Sequence, residues 1–170
     1  MMDKSVLWQI SYGLYGIGVM DGARPTGCIV NTVFQITSDD PSIAISLNKN
    51  NYTYDVLRKN GHFAISILAE GVNPLVIGKL GFATGRDVDK FSAFSYEMWE
   101  EAPIVKEGVT GYLLCDVLSM TETATHMVII AKVSDAKKGD SPTPLTYKYY
   151  HEVIKGKAPK NAPTYQAPEK

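Results

Sequence analysis

Three short segments of this 170-residue chain carry residue types that bind a phosphate-bearing ligand, and the first spans residues 27–32. Its glycine permits close backbone approach, and apolar residues are followed there by an amide and a hydroxyl. An apolar surface with polar groups at one border suits a flat heteroaromatic ring. The same residue types also suit an ordinary core strand. Taken alone, they favour this second interpretation. The candidate ring-binding residues are Cys28, Ile29, Val30, Asn31 and Thr32.

The second segment, residues 48–53, lies between a predicted strand and a predicted helix and contains Asn48, Lys49, Tyr52 and Thr53. Free backbone N–H groups at a helix start, together with a hydroxyl and an ammonium group, make an anion site. Asn and Thr also cap helices without any ligand. Capping does not explain Lys49, because a cation is unfavourable at a helix N-terminus. The pattern therefore favours a phosphate site.

The third segment, residues 85–91, mixes charges and contributes Arg86 and Lys90 as further candidates. Its alternative interpretation is a solvated loop. His126 begins an apolar strand after two threonines, which places it at the mouth of a sheet near a bound ring. A single histidine at a strand start is more often structural.

Other chemistries find no support in the residue pattern. Cys28 and Cys115 lie far apart without CxxC spacing or clustered histidines, which argues against a metal site and gives no disulfide framework. Cys28 also fits a small buried hydrophobe. The sequence lacks a GxGxxG loop between a strand and a helix, so a nucleotide must bind by other means.

The elements that position these residues are predicted to be mostly strands. Apolar or alternating stretches predict strands within 27–37, 42–48, 63–68, 109–120 and 126–133, whereas helices are predicted only at 54–59 and 74–80. Residues 145–154 form either a short helix or an aromatic segment. Many strands with few long helices favour an antiparallel barrel over a parallel α/β sheet.

Composition predicts one soluble domain. Hydrophobic residues make up 45% and charged residues 21% of the chain, and the formal net charge is -1. No clustered positive charge points to a nucleic-acid or membrane partner, and no apolar run approaches the ~20 residues of a membrane span. The start lacks a signal-peptide pattern, so we expect a cytoplasmic protein. We expect a domain over residues 1–155 and an extended C-terminal tail over 156–170.

The motifs taken together resemble those of the flavin reductase-like, FMN-binding split-barrel family. The resemblance rests on YGLYGIGVMDG, TGCIVNTVFQITSDDPSIAISLNKNNYTYDVLRKNGHFAISIL, IGKLGFATGRDVDKF and TYKYYHEVIKGKAPKNAPTY, and it covers residues 5 to 165. Within the family the chain is most similar to flavoredoxin, archaeal ferric reductase and the flavin domain of high-molecular-weight rubredoxins.

The resemblance implies a mainly β fold: a six-stranded antiparallel Greek-key split barrel with short helices, forming a homodimer with one FMN per subunit. It implies that residues 28–32 line the isoalloxazine ring and that Asn48, Lys49, Tyr52, Thr53 and Lys90 hold the phosphate. His126 would lie near the ring, as the catalytic candidate. Ala124 and Thr125 replace the family's Gly and Asp before the histidine, so the resemblance does not by itself imply nicotinamide binding. Thr26 and Cys28 also depart from the commonest family pattern, and they leave open whether FMN is a fixed prosthetic group or an exchangeable substrate.

The implied function is an FMN-dependent oxidoreductase. Electrons would pass from NADH, NADPH or a deazaflavin through FMN to a redox protein such as rubredoxin, a ferric chelate or free flavin. One alternative is an electron-carrier module with little reductase activity of its own. Another is an FMN-storing or pyridoxamine-oxidase-like protein, which would need an amine site that the sequence does not indicate.

Overall fold

A computed structural model describes residues 1–165. Seven strands form one antiparallel sheet: β1 Tyr15–Asp21, β2 Arg24–Val30, β3 Val33–Thr37, β4 Ser42–Asn48, β5 His62–Leu68, β8 Val109–Glu122 and β9 His126–Lys138. Their order across the sheet is β2-β1-β5-β8-β9-β4-β3. Two more strands, β6 Tyr96–Trp99 and β7 Ala102–Val105, pair as a separate hairpin.

Three short α-helices and two 3-10 turns complete the structure. Helix α1 spans Tyr52–Asn60, between an Asn51 cap and Gly61, whose φ of 75° suits a glycine at a helix end. Helix α2 spans Pro74–Phe82, and α3 spans Tyr147–Glu152. The 3-10 turns cover Lys4–Gln9 and Phe91–Ala93. In the part of the chain that is described, no helix is long and apolar enough to cross a membrane.

Two apolar clusters lie on opposite sides of β2. One contains Ile17, Ile45 and Phe63 and forms the interior of the curved sheet under α1. The other contains Leu80 and Ile104 and lies beneath α2 and the β6–β7 hairpin. Since successive side chains of a strand point to opposite faces, β2 contributes to both clusters. This alternation decides which candidate residues share a surface.

The predicted class, mainly antiparallel β with short helices, is confirmed, but the main sheet has seven strands rather than six. β1 was not predicted, because its glycines weaken the strand pattern. Gly18 is needed for packing, since a Cβ there would lie 1.9 Å from the carbonyl oxygen of Pro103. The β6–β7 hairpin was also missed.

The division of the chain at residue 155 stays a prediction. Residues 156–165 lie against the domain, through contacts described below. Residues 166–170 of the predicted tail lie outside the described residues.

Candidate functional site

Strand register brings candidates from separate segments to one end of the sheet. Val33, at the start of β3, pairs with Ile45, and Asn48, at the end of β4, pairs with His126 at the start of β9. Glu122, at the end of β8, pairs with Met127 and so lies beside the turn that joins β8 to β9. The segments around residues 31–32, 48–49, 122 and 126 therefore meet at this end, which we call the candidate rim.

Lys49 is held at the candidate rim by an ion pair. Its Nζ lies 2.6 Å from Oε1 of Glu122, and its backbone N–H donates to the carbonyl of Thr125. The hydrogen bond from Lys49, with its charge, lowers the pKa of Glu122. Both side chains reach solvent, so a phosphate dianion can compete with the carboxylate for Lys49. Beside it, Asn48 Oδ1 accepts a hydrogen bond from Asn50 N–H.

His126 has one ring nitrogen engaged and one free. Nδ1 lies 2.8 Å from the Thr125 hydroxyl, and the backbone N–H donates to the Thr123 hydroxyl. Nε2 is buried and has no hydrogen-bond partner among residues 1–165. Buried polar atoms are normally paired, so this nitrogen is available for a ligand atom or an ordered water.

The candidates of residues 28–32 do not all face one surface. Cys28 and Val30 point into the curved sheet, whereas Ile29 packs against the cluster under α2. Burial raises the pKa of the Cys28 thiol, against the opposing effects of Lys90 and of the Thr53 and Asn51 side chains. The structure therefore brings Cys28 to the start of α1, and side chains on both faces of β2 cannot line one ring.

Asn31 and Thr32 form the turn between β2 and β3, and Asn31 is linked to Thr164. Thr32 Oγ1 donates to Asn31 Oδ1 over 3.0 Å, and Asn31 Nδ2 donates to Thr164 Oγ1 over 2.7 Å. The Thr164 hydroxyl in turn donates to Tyr147 OH. Asn31 is only 6% exposed as a result.

Lys90 lies inside the protein. It is 2% exposed, and its Nζ donates to the carbonyls of Gly27 and Leu80 over 2.7 and 3.0 Å. Burial lowers the pKa of the ammonium. Lys90 thus links β2 to the last turn of α2, and in this arrangement its charge is directed at the backbone rather than at a surface phosphate.

The start of α1 is packed against the end of the β1–β2 hairpin. Tyr52 OH donates to Asp21, which lowers the pKa of that carboxyl. The Arg86 guanidinium lies 4.8 Å from the Tyr52 ring centre and pairs with Asp55 over 2.7 Å. Thr53 is buried, and its backbone N–H donates to the Asn51 cap. Tyr52 and Thr53 therefore support the helix start, next to the partly exposed segment around Lys49.

Thr26 and Gly85 were not among the site residues predicted from the sequence. Thr26 is 1% exposed, and its hydroxyl has no partner within the described chain. Gly85 fits over it so closely that an added Cβ would lie 2.3 Å from that hydroxyl. Gly81 and Gly85 were a signal for close packing, but nothing local showed that Gly85 approaches Thr26.

The groups at the candidate rim fit a flat ring that carries a phosphate. Lys49 supplies a half-exposed cation, His126 a ring nitrogen that has no partner within residues 1–165, and Asn31 an amide at the border of an apolar surface. A phosphate needs cationic or N–H donors, and a heteroaromatic ring needs a polar edge beside apolar contacts. Those two requirements are met by different segments at one end of the sheet.

Similarity to known proteins agrees with this interpretation. The family model described as "Flavin reductase like domain" matches residues 8–153. A high molecular weight rubredoxin of Moorella thermoacetica is 41% identical over 96% of this chain and 72% of its own length. A ferric-chelate reductase (NAD(P)H) of Archaeoglobus fulgidus is 33% identical over 96% of this chain and 98% of its own.

Solved structures share the fold at low identity. The flavin reductase domain protein of an Arthrobacter species superposes with a TM-score of 0.75 at 19% identity, covering 85% of this chain and 87% of that one. Flavoredoxin of Methanosarcina acetivorans gives 0.69 at 21% identity, covering 76% and 70%. The resemblance found in the sequence, that of a flavin reductase-like oxidoreductase, is confirmed: this chain belongs to the flavin reductase-like domain family.

Proposed function

We propose that this protein is an FMN-dependent oxidoreductase. Electrons come from a reduced nicotinamide, NADH or NADPH, or from a deazaflavin, and leave to a redox protein, a ferric chelate or free flavin. Its relatives include a ferric-chelate reductase (NAD(P)H) and an FMN reductase (NADH), the latter from Variovorax paradoxus. Their names support a flavin and a nicotinamide donor for this chain.

The observation that carries the proposal is the meeting of Lys49, His126 and Asn31 at the candidate rim. Asn48 and His126 are directly paired, and Lys49 N–H is bonded to Thr125 O. One ligand that spans adjacent strands, which lie about 4.8 Å apart, can therefore reach a cation and an unpaired histidine nitrogen together. A phosphate joined to a flat ring has that extended shape.

When bound, FMN supplies the hydride-accepting and electron-releasing chemistry. The chain's own residues bind and orient it. Lys49 exchanges the Glu122 carboxylate for the phosphate, and Asn48 borders the same segment. Asn31 offers its amide to the polar edge of the ring, beside Ile29. His126 presents Nε2 near the reacting region. Lys90 acts as a positioning residue, because it fixes the backbone of Gly27 against α2.

We propose that the protein acts as a homodimer. β3 is an edge strand of the sheet, and its Phe34 and Ile36 side chains are 57% and 44% exposed. An exposed edge strand with apolar side chains favours pairing with another chain. The similarity to a high molecular weight rubredoxin supports a rubredoxin-type protein as one acceptor.

A second candidate function is an electron carrier with little reductase activity of its own. It is favoured by Ala124 and Thr125, which replace the common family residues before His126. Thr125 engages Nδ1 of His126 through its hydroxyl. Steady-state turnover with NADH separates the two functions, since a carrier would show bound FMN without turnover.

The test is an absorption spectrum of the purified protein, followed by anaerobic additions of NADH and NADPH. Flavin bands that bleach on addition of either donor support the oxidoreductase. Flavin bands that persist support the carrier, or a deazaflavin donor, which is then added. Failure to purify with FMN or to take it up would overturn the proposal.

A further inference from the structure

The C-terminal arm, which we define as residues 156–165, lies across the face of β2 that carries Ile29. Ala158, Pro159 and Ala162 of the arm line a small cavity together with Ile29 and Asn31. The cavity has a volume of about 30 Å³, which is room for about one water molecule and not for an aromatic ring. With the arm in place, this face of β2 is therefore closed.

The arm is fastened at its root to α3. Gly156 N–H donates to Tyr150 O, and Tyr150 OH donates to the carbonyl of Lys157 over 3.2 Å. The ring nitrogen Nδ1 of His151 donates to Gly156 O over 2.9 Å. A side chain at position 156 would force the arm or the Tyr150 ring to shift, because an added Cβ would lie 2.0 Å from that ring.

The tip of the arm is fastened by one hydroxyl. Thr164 Oγ1 accepts the amide hydrogen bond of Asn31 over 2.7 Å and donates to Tyr147 OH over 2.8 Å. This amide is the group that the proposed function assigns to the polar edge of the ring. The amide nitrogen has a second N–H, but a ring carbonyl can reach this amide only if the arm moves, because the cavity beside Ile29 and Asn31 has no room for a ring.

We propose that the C-terminal arm is a gate over the ring-binding face of β2, latched by the Asn31–Thr164 hydrogen bond and opened when a flat ring binds. The inference rests on the proposed function for its ligand. The latch, which is the Asn31–Thr164 hydrogen bond, forms without any ligand. Because the competent state is the open one, the apparent affinity for FMN is reduced by the fraction of molecules that are closed.

Two full-length variants open the gate by different routes. Thr164→Val removes the hydroxyl and keeps the branched shape, whereas Gly156→Ala forces the root away from Tyr150. Thr143→Val and Gly71→Ala are the matched controls: Thr143 is exposed, and a Cβ on Gly71 meets nothing within 4 Å. Each arm variant therefore has a control variant with the same type of substitution outside the arm.

The latch is tested without ligand by the rate of tryptic cleavage after Lys157 and Lys160, which are exposed. Loss of a hydrogen bond of ordinary strength should raise the open population, and thus cleavage in Thr164→Val, by about fivefold or more. Gly156→Ala should be cleaved faster as well, and the controls should match the wild type. Equal rates in all five proteins would overturn the latch whether or not FMN binds.

The gate is tested by the rate at which the flavin-free proteins quench FMN fluorescence. Both arm variants should take up FMN faster, by about the factor seen in cleavage, and FMN should speed cleavage of the wild-type arm. Faster cleavage with unchanged uptake, or protection of the arm by FMN, would overturn the gate. Uptake by the arm variants alone would support it. If no variant takes up FMN, the proposed function and the gate both fail, while the cleavage result for the latch stands.

Discussion

The ammonium of Lys49 and the carboxylate of Glu122 form a 2.6 Å ion pair between residues 73 positions apart in the chain. The pair lies at the candidate rim, where both side chains reach solvent. Because a phosphate would compete with this carboxylate, the two residues should affect FMN binding in opposite directions.

Lys49→Ala should weaken FMN binding by roughly ten- to a hundredfold, the usual effect of losing a hydrogen bond to a charged group. Glu122→Gln should instead tighten binding up to about fivefold, because an exposed ion pair is weak and its loss frees Lys49. Titration of the flavin-free proteins with FMN measures both. Both variants should remain folded by circular dichroism, and full FMN occupancy in purified Lys49→Ala would contradict the phosphate assignment.

His126→Ala should leave FMN bound but slow its reduction by NADH. Loss of one hydrogen bond in the transition state predicts about a fivefold effect. Rapid-mixing absorbance under anaerobic conditions measures the rate. Thr125→Val, which removes only the hydroxyl bonded to Nδ1, should have a smaller effect. If both variants are reduced at the wild-type rate, His126 has a structural role only.

Thr26→Val should stabilise the flavin-free protein by up to about 1 kcal/mol, because it replaces a buried hydroxyl that has no partner in the described chain with a methyl group. Ser66→Ala is the matched control, since the Ser66 hydroxyl accepts a hydrogen bond from Val105 N–H over 3.1 Å. Its loss should destabilise the protein by about 1–3 kcal/mol. Urea unfolding measures the free energy of unfolding of both variants. A marked loss of stability in Thr26→Val would reveal a partner for the Thr26 hydroxyl, such as an ordered water.

The raised pKa of Tyr112 predicts that the protein loses stability at high pH. Burial, aided by the charges of Asp140 and Glu97, raises its pKa from 10.0 to about 12. The protonated Tyr112 hydroxyl therefore contributes fully to the free energy of unfolding below pH 10. This contribution is lost as the pH rises toward about 12, because Tyr112 releases its proton at a lower pH in the unfolded chain than in the folded one.

Tyr112→Phe should make the unfolding free energy fall less steeply between about pH 10 and 12 than in the wild type. At neutral pH the variant should be less stable by about 1 kcal/mol, since the hydroxyl donates to the carbonyl of Val105. Denaturant melts at a series of pH values give both quantities. Parallel pH profiles for the two proteins would show that Tyr112 does not titrate in that window.

The sequence by itself determined the elements whose pattern is local. The alternation in β4 and β5 and the long apolar runs of β8 and β9 predicted strands near their observed positions. The Asn73-Pro74 pair and the Asn60-Gly61 pair marked a helix start and a helix end for the same reason. The four motifs quoted above, taken together, indicated the flavin reductase-like family.

Only the tertiary structure decided which candidate residues share a surface. A shift of one residue reverses the face of a strand, so the sequence could not tell that Cys28 points inward while Ile29 points toward α2. Lys90 was predicted to help hold the phosphate, but it is buried and its ammonium donates to two backbone carbonyls. The bond between Asn31 and Thr164 joins residues 133 positions apart. No local pattern encodes such contacts, because they depend on how the whole chain folds back on itself.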